Sequence, residues 1–197
     1  APVGSGSAGA PTAPAGRVAI TPQGLSIDGT TRLLYGGEVQ YFRIRDRNGD
    51  VARTHRMWEE TLDELVAAGM NLVTTYVPWD VHEPQEGQFE LSGVADLEAF
   101  LGMCHRRGLK VIFKPGPFIN SEWPYGLGSF GAVPEWFKQK HPGSLALKPD
   151  GTPFTTDLLG RAHGRQPSMF APELLQATEA FFARLAPIVK RFVHQEP

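Results

Sequence analysis

Apolar residues along the middle of the chain alternate between helical and strand periods. Trp58, Leu62, Leu65 and Val66 recur at helical spacing through residues 54–68, with Glu59, Glu60, Asp63 and Glu64 between them. This predicts an amphipathic helix whose acidic face is solvated. Gly69 follows as a stop, because a glycine just past a helix takes the left-handed conformation that ends it. The β-branched run from Met70 to Val77 then predicts a strand buried on both faces. The same sequence of signals repeats: a helix over about 95–107 with Leu97, Phe100, Leu101 and Cys104, Gly108 as its stop, and a strand over 109–114. Upstream, Asp28-Gly29 between short apolar runs predicts an entry hairpin with a type I′ turn. Leu33 to Phe42 reads as a strand in which Gly36-Gly37 marks a bulge or a close approach by another backbone or a ligand. Downstream, Pro115 to Pro172 reads as a long loop rich in Gly, Pro and aromatic residues. A last helix from Pro172 carries Leu174, Leu175, Thr178, Phe181, Phe182, Leu185, Ile188, Val189 and Phe192, and Pro187 predicts a kink or break in it.

Strand, helix, strand, helix, strand is the βα repeat of an α/β fold with a parallel sheet and right-handed crossovers. A (β/α)₈ TIM barrel takes roughly 250 residues, so about three βα units amount to less than half of one. Residues 17–197 are expected to be the N-terminal part of such a barrel, incomplete and unable to fold as a finished domain. Residues 1–16, rich in Gly, Ala, Ser and Pro, are expected to be a disordered tether. They have the composition of a processed end behind a signal-cleavage site, hence a secreted or periplasmic protein, with a cloning scar as the alternative.

Composition narrows the chemistry. With 19 Lys+Arg against 21 Asp+Glu and a pI near 6.3, the chain as a whole has no electrostatic footprint for nucleic acid or an anionic membrane. No run approaches the ~18 apolar residues of a membrane span. Cys104 stands alone within an apolar helical stripe and reads as a buried structural thiol. The six histidines form no i,i+4 pair, Gly126-Leu-Gly128 lacks the context of a dinucleotide site, and no serine has a local base, so neither a metal nor a cofactor is expected. His82 reads as a hydrogen-bonding partner behind a site.

Two segments concentrate polar and aromatic residues at the C-terminal ends of predicted strands, where parallel α/β folds place their sites: Thr75 to Pro84, and Lys114 to Trp123. Sugars are held by an aromatic ring under their apolar face and by amides and carboxylates on their hydroxyls. Tyr76, Trp79, Asn120, Glu122 and Trp123 supply those types, although Trp79 and Trp123 fit a packed core equally well.

At this point the order and spacing of several motifs resemble one family. Leu34-Tyr-Gly-Gly-Glu-Val-Gln-Tyr-Phe-Arg43, Trp58, Ala68-Gly-Met-Asn-Leu-Val-Thr-Thr-Tyr-Val-Pro-Trp-Asp-Val-His-Glu-Pro84, Gly87-Gln-Phe89, Gly93 with Asp96-Leu97 and Phe100, and Gly116-Pro-Phe-Ile-Asn-Ser-Glu-Trp123 look like the N-terminal half of glycoside hydrolase family 35. The resemblance covers about residues 24–140. It implies a retaining exo-β-glycosidase, a β-galactosidase in the first place and an exo-β-glucosaminidase in the second, that removes a terminal β-linked sugar from a carbohydrate substrate. It implies that Tyr76, Asn120, Ser121 and Glu122 bind the sugar and that Arg43 sits near the nucleophile. Trp79, Asp80, Glu83, Trp123 and Tyr125 are expected behind these residues or in an added aromatic subsite. No catalytic residue is expected in this chain, because the resemblance assigns the two catalytic carboxylates to strands beyond Pro197. The partner is then the rest of the barrel, in the same or a separate chain. Gln40 stands where the family has His, Asp80 where it has Asn, and the 124–134 segment with Tyr125 and Phe130 is longer than usual, so these positions bear on which sugar is taken. A non-catalytic carbohydrate-binding half-barrel and one chain of a nicked enzyme are the other readings.

Overall fold

The computed structural model describes residues 18–119, 130–155 and 166–193. The described residues form two units, residues 18–34 with Val193, and those from residue 35 to residue 192. In the first, β1 (Val18–Thr21), β2 (Gly24–Ile27) and β3 (Thr30–Thr31) make a small antiparallel meander. Asp28 and Gly29 join β2 to β3 with φ of 52° and 73°. Both values lie in the left-handed region that the type I′ turn demands, as the Asp-Gly pair predicts. The proposed tether, residues 1–16, lies outside the described residues.

The second unit holds the repeat. β4 (Gly36–Glu38), β5 (Leu72–Tyr76) and β6 (Lys110–Lys114) pair in parallel in chain order, with α1 (Val51–Ala67) and α3 (Leu97–Arg106) as the crossovers. α2 (Trp79–His82) follows β5, while α4 (Glu135–Lys140) and α5 (Pro172–Val189) come after β6. Both crossover helices start and stop by the same local chemistry. Asp50 accepts the Arg53 amide at 3.0 Å and Asp96 the Ala99 amide at 2.9 Å, capping bonds of about 1 kcal/mol each. At the other end Gly69 bonds to Val66 O and Met70 to Leu65 O, and likewise Gly108 to His105 O and Leu109 to Cys104 O. These are paired Schellman closures, and each hands the chain directly to the next strand.

The two faces of this sheet differ. Gly37, Val73 and Val111 are in register on one face, and Gly37 looks onto Leu65 of α1 and onto Met70. Here lies the core, with Trp58, Leu62, Val73, Phe100, Leu101 and Cys104 buried in a single cluster. Glu38, Thr74 and Ile112 line the other face, with Tyr76 and Lys114 one step further along. That face is half-exposed, and Ile112 is 47% accessible. Of the strand after Gly69, expected to be buried on both faces, this part of the chain covers one face: Val73 and Thr75 are fully buried, and Leu72, Thr74 and Tyr76 are partly accessible.

Three other expectations change. The strand expected over Leu33–Phe42 is only Gly36–Glu38, because the chain leaves the ladder and folds into a 3₁₀ turn at Tyr41–Arg43. The Trp58 indole holds it there by donating to the carbonyls of Tyr41 (2.9 Å) and Ile44 (2.7 Å). Of the two readings of Gly36-Gly37, the structure selects close approach by a backbone: a Cβ on Gly36 would overlap the Leu72 carbonyl. The expected loop 115–172 contains α4, whose turn is reinforced by the Lys138–Glu135 ion pair at 3.2 Å. The last helix ends at Val189, two residues past Pro187, so Phe192 lies beyond it, with its ring against His105. Its Leu174, Phe181, Leu185 and Ile188 are buried, whereas Leu175 and Phe182 are exposed, as is Val66 on α1.

Candidate functional site

The uncovered face of the sheet becomes polar at the C-terminal ends of the strands. Glu38 ends β4, Tyr76 ends β5 and Lys114 ends β6, and β5 lies between the two charged residues. Lys114 Nζ donates to Glu38 Oε2 at 3.1 Å and sits 4.2 Å from the centroid of the Tyr76 ring. Gln40 ties the group together: its Nε2 donates to Glu38 Oε1 at 2.7 Å, and its Oε1 accepts the Tyr76 amide at 3.3 Å. Desolvation works to lower the pKa of Lys114, but the bonded Glu38 carboxylate and then Tyr76 outweigh it and raise the pKa above the ordinary lysine value. The cluster thus offers a fixed cation, a carboxylate and an aromatic ring within one hydrogen-bonded group.

Behind it lies a second polar group, and this one is buried. Tyr41 O–H meets His82 Nε2 at 2.6 Å, and His82 Nδ1 meets Glu90 O at 3.0 Å. Burial lowers the His82 pKa to about 4, only partly opposed by the Glu90 bond, so the ring is neutral. A neutral ring that donates from Nδ1 accepts the tyrosine proton at Nε2. Burial likewise pushes the Tyr41 hydroxyl well above its usual range and the Cys104 thiol up to about 12, which leaves Cys104 a structural thiol.

Glu83 completes this layer. It is 6% exposed, accepts the Trp79 indole N–H at 2.6 Å on one oxygen and the Gly87 amide at 2.8 Å on the other, and its carbonyl takes the Trp136 indole at 3.0 Å. Trp79 has no exposed surface and stacks on Phe181 at 5.7 Å, with Trp136 edge-on. Of its two readings, core or sugar platform, the structure gives the core. Glu83 is accordingly a support for Trp79 and for the turn at Gly87. Asp80 lies half-buried in the first turn of α2. Arg43 is half-buried at the end of the 3₁₀ turn, with its amide on Gln40 O at 2.9 Å, so Trp58 positions Arg43 and Gln40 together.

Asn120, Ser121, Glu122, Trp123 and Tyr125 lie outside the described residues. Among the expected sugar-binding residues, Tyr76 is the one whose surroundings are visible, and it is central to the exposed cluster. Glu38 and Lys114 were absent from the expected set. Their signal was available in part: each is a charged residue ending a strand on the alternation that faces away from the helices. Among the described residues no group of His, Cys, Asp and Glu is arranged to hold a metal ion, and no helix is long and apolar enough to cross a membrane.

The model of the glycosyl hydrolases family 35 matches residues 24–158, a span that takes in β2 through α4. The chain belongs to this family. An exo-beta-D-glucosaminidase of Pyrococcus horikoshii is 33% identical over 173 residues, covering 86% of this chain and 20% of that protein. A beta-galactosidase of Mus musculus is 33% identical over 168 residues, 85% of this chain and 20% of that protein. The family 35 chain thus spans about a fifth of the length of these relatives. Among solved structures, the cold-adapted beta-galactosidase of Rahnella sp. R3 superposes with a TM-score of 0.54 at 22% identity, over 82% of this chain and 19% of that one. This likeness shows the fold: the α/β unit is part of a TIM barrel. In such a barrel the helices cover the outside, so the uncovered face bearing Glu38, Tyr76 and Lys114 is the interior, and the strand ends that carry them form the mouth where barrels place their sites.

Proposed function

We propose that the family 35 chain supplies the sugar-recognition part of a retaining exo-β-glycosidase, a β-galactosidase, that removes a terminal non-reducing β-linked sugar from oligo- or polysaccharides. The observation that carries this is the Glu38–Gln40–Tyr76–Lys114 cluster at the mouth, where a charged pair and a ring are held rigidly and stay accessible. A pyranose needs such a combination, an aromatic ring against its C–H face and charge-assisted bonds for its hydroxyls, the latter worth roughly 1.5–3 kcal/mol each. Asn120, Ser121 and Glu122 follow β6 in the sequence and are proposed to bind hydroxyls beside Tyr76. Retaining hydrolysis needs two carboxyls about 5–5.5 Å apart. Glu38 and Glu83 are both engaged by other residues, so neither is assigned to that pair.

Exo-β-glucosaminidase activity is the second reading, favoured by the similarity to the Pyrococcus protein. An amino sugar brings an ammonium that asks for an unpaired carboxylate. Glu38 is already neutralised by Lys114, which favours a neutral sugar at this cluster. The test is hydrolysis of nitrophenyl β-galactoside against the β-glucosaminide by the natively expressed protein, with the anomer of the first product read by NMR. Preferential release from the galactoside with the β-anomer first supports the proposal. Preference for the glucosaminide selects the second reading, and an α-anomer first rejects retention.

A further inference from the structure

The loop from β4 into α1 departs from the charge of the whole chain. Residues 43–56 hold five arginines against Asp46 and Asp50, in a protein of formal net charge −2. Arg45, Asp46, Arg47, Asn48, Arg53 and Met57 line a surface pocket of about 330 Å³. Its single carboxylate is spent internally. Asp46 Oδ1 pairs with Arg53 Nε at 3.2 Å, Oδ2 accepts the amides of Asn48 (2.8 Å) and Asp50 (3.3 Å), and the side chain is only 8% exposed. Arg45 and Arg47 are exposed and have no ion-pair partner among the described residues. Two arginines without an ion-pair partner among the described residues thus line a concavity, beside a third, Arg53, whose side chain is 65% exposed. Guanidinium forks match the planar or tetrahedral oxygens of carboxylate and sulfate, and they cannot lose their charge.

We propose that this pocket binds an anionic substituent, sulfate or uronate carboxylate, on a glycan. The loop leaves β4 at the end that carries Glu38, the same end of the sheet as Tyr76, and the acidic residue is proposed to lie further along a glycan whose terminal sugar sits at Tyr76. The anion preference follows from the pocket alone; its carrier being a glycan rests on the proposed glycosidase function. With a chain that is acidic overall, recognition is confined to this pocket and does not extend to polyanions in general.

The test is titration calorimetry of the natively expressed protein, at low and at physiological ionic strength, with inorganic sulfate, a neutral galactan oligosaccharide, a sulfated one and a galacturonate-bearing one. The expected result is about tenfold tighter binding of an acidic oligosaccharide than of the neutral one at low salt, reduced at physiological salt because the groups are exposed. The Arg45→Ala/Arg47→Ala variant should lose this preference with unchanged hydrolysis of nitrophenyl β-galactoside. Whether the sulfated or the galacturonate-bearing chain carries the preference identifies the substituent. Equal affinity for neutral and acidic chains, binding of inorganic sulfate without any preference among oligosaccharides, or a preference that survives the double variant would overturn the proposal. Absence of glycosidase activity with the anion preference intact would instead reject the function and leave the pocket standing.

Discussion

Two polar groups lie at the same ends of the strands and have opposite fates. Around Glu83 and His82 the donors and acceptors are consumed inside the protein: two indoles, a backbone amide, a tyrosine hydroxyl and a carbonyl. Around Glu38 and Lys114 the partners are equally specific, but the side chains keep 41% and 36% of their surface. A buried polar group left short of partners costs roughly 1–3 kcal/mol, so the first group belongs to folding. The second keeps accessible surface, and it is the group proposed for recognition.

The largest effect that would sharpen this contrast is on stability. Trp79→Ala removes a fully buried ring and strands the Glu83 carboxylate, and should cost about 3–5 kcal/mol in urea unfolding. A loss under about 1 kcal/mol would mean that Trp79 is not part of the core. Next comes pH. His82 titrates near 6.5 when unfolded and near 4 when folded, so between those values the unfolded chain takes up a proton that the folded protein refuses. Stability from this group is complete above about pH 6.5, falls as pH drops towards 4 and changes no further below, a loss of about 3 kcal/mol. His82→Gln should flatten the dependence of the unfolding midpoint over that window; an unaltered slope would contradict a buried neutral ring. The smallest effect on stability belongs to the exposed group: Lys114→Met should change it by less than about 1 kcal/mol, as for a solvent-accessible ion pair, here at the barrel mouth.

Much of the fold was legible because its signals are local. Helix periods and the glycines at 69 and 108 lie within a few residues of what they control, and the Asp28-Gly29 turn is complete in two. The truncation of β4 was not legible, because it is imposed by Trp58, 14 and 17 residues away from the carbonyls it holds. α4 escaped because six residues give too little periodicity to stand out among prolines and glycines. In the site, Tyr76 was legible from its motif, whereas the Glu38–Lys114 pair spans 76 residues and exists only through the register of two strands on β5. The two readings of Trp79 could be separated only by the packing of Phe181 from the far end of the chain.

The exposed cluster is proposed to recognise the sugar. The most direct measurement is the steady-state hydrolysis of nitrophenyl β-galactoside by the natively expressed protein carrying Tyr76→Phe, Lys114→Met or both, alongside its thermal midpoint. Loss of one charge-assisted contact corresponds to about a tenfold fall in kcat/KM or more. Because Lys114 sits over Tyr76, the double variant should lose less than the product of the two single effects. The account predicts those falls with a thermal midpoint shifted by no more than a few degrees. Unchanged kcat/KM in both single variants, with the fold intact, would show that the sugar is recognised elsewhere and that the uncovered face of the sheet is not its site.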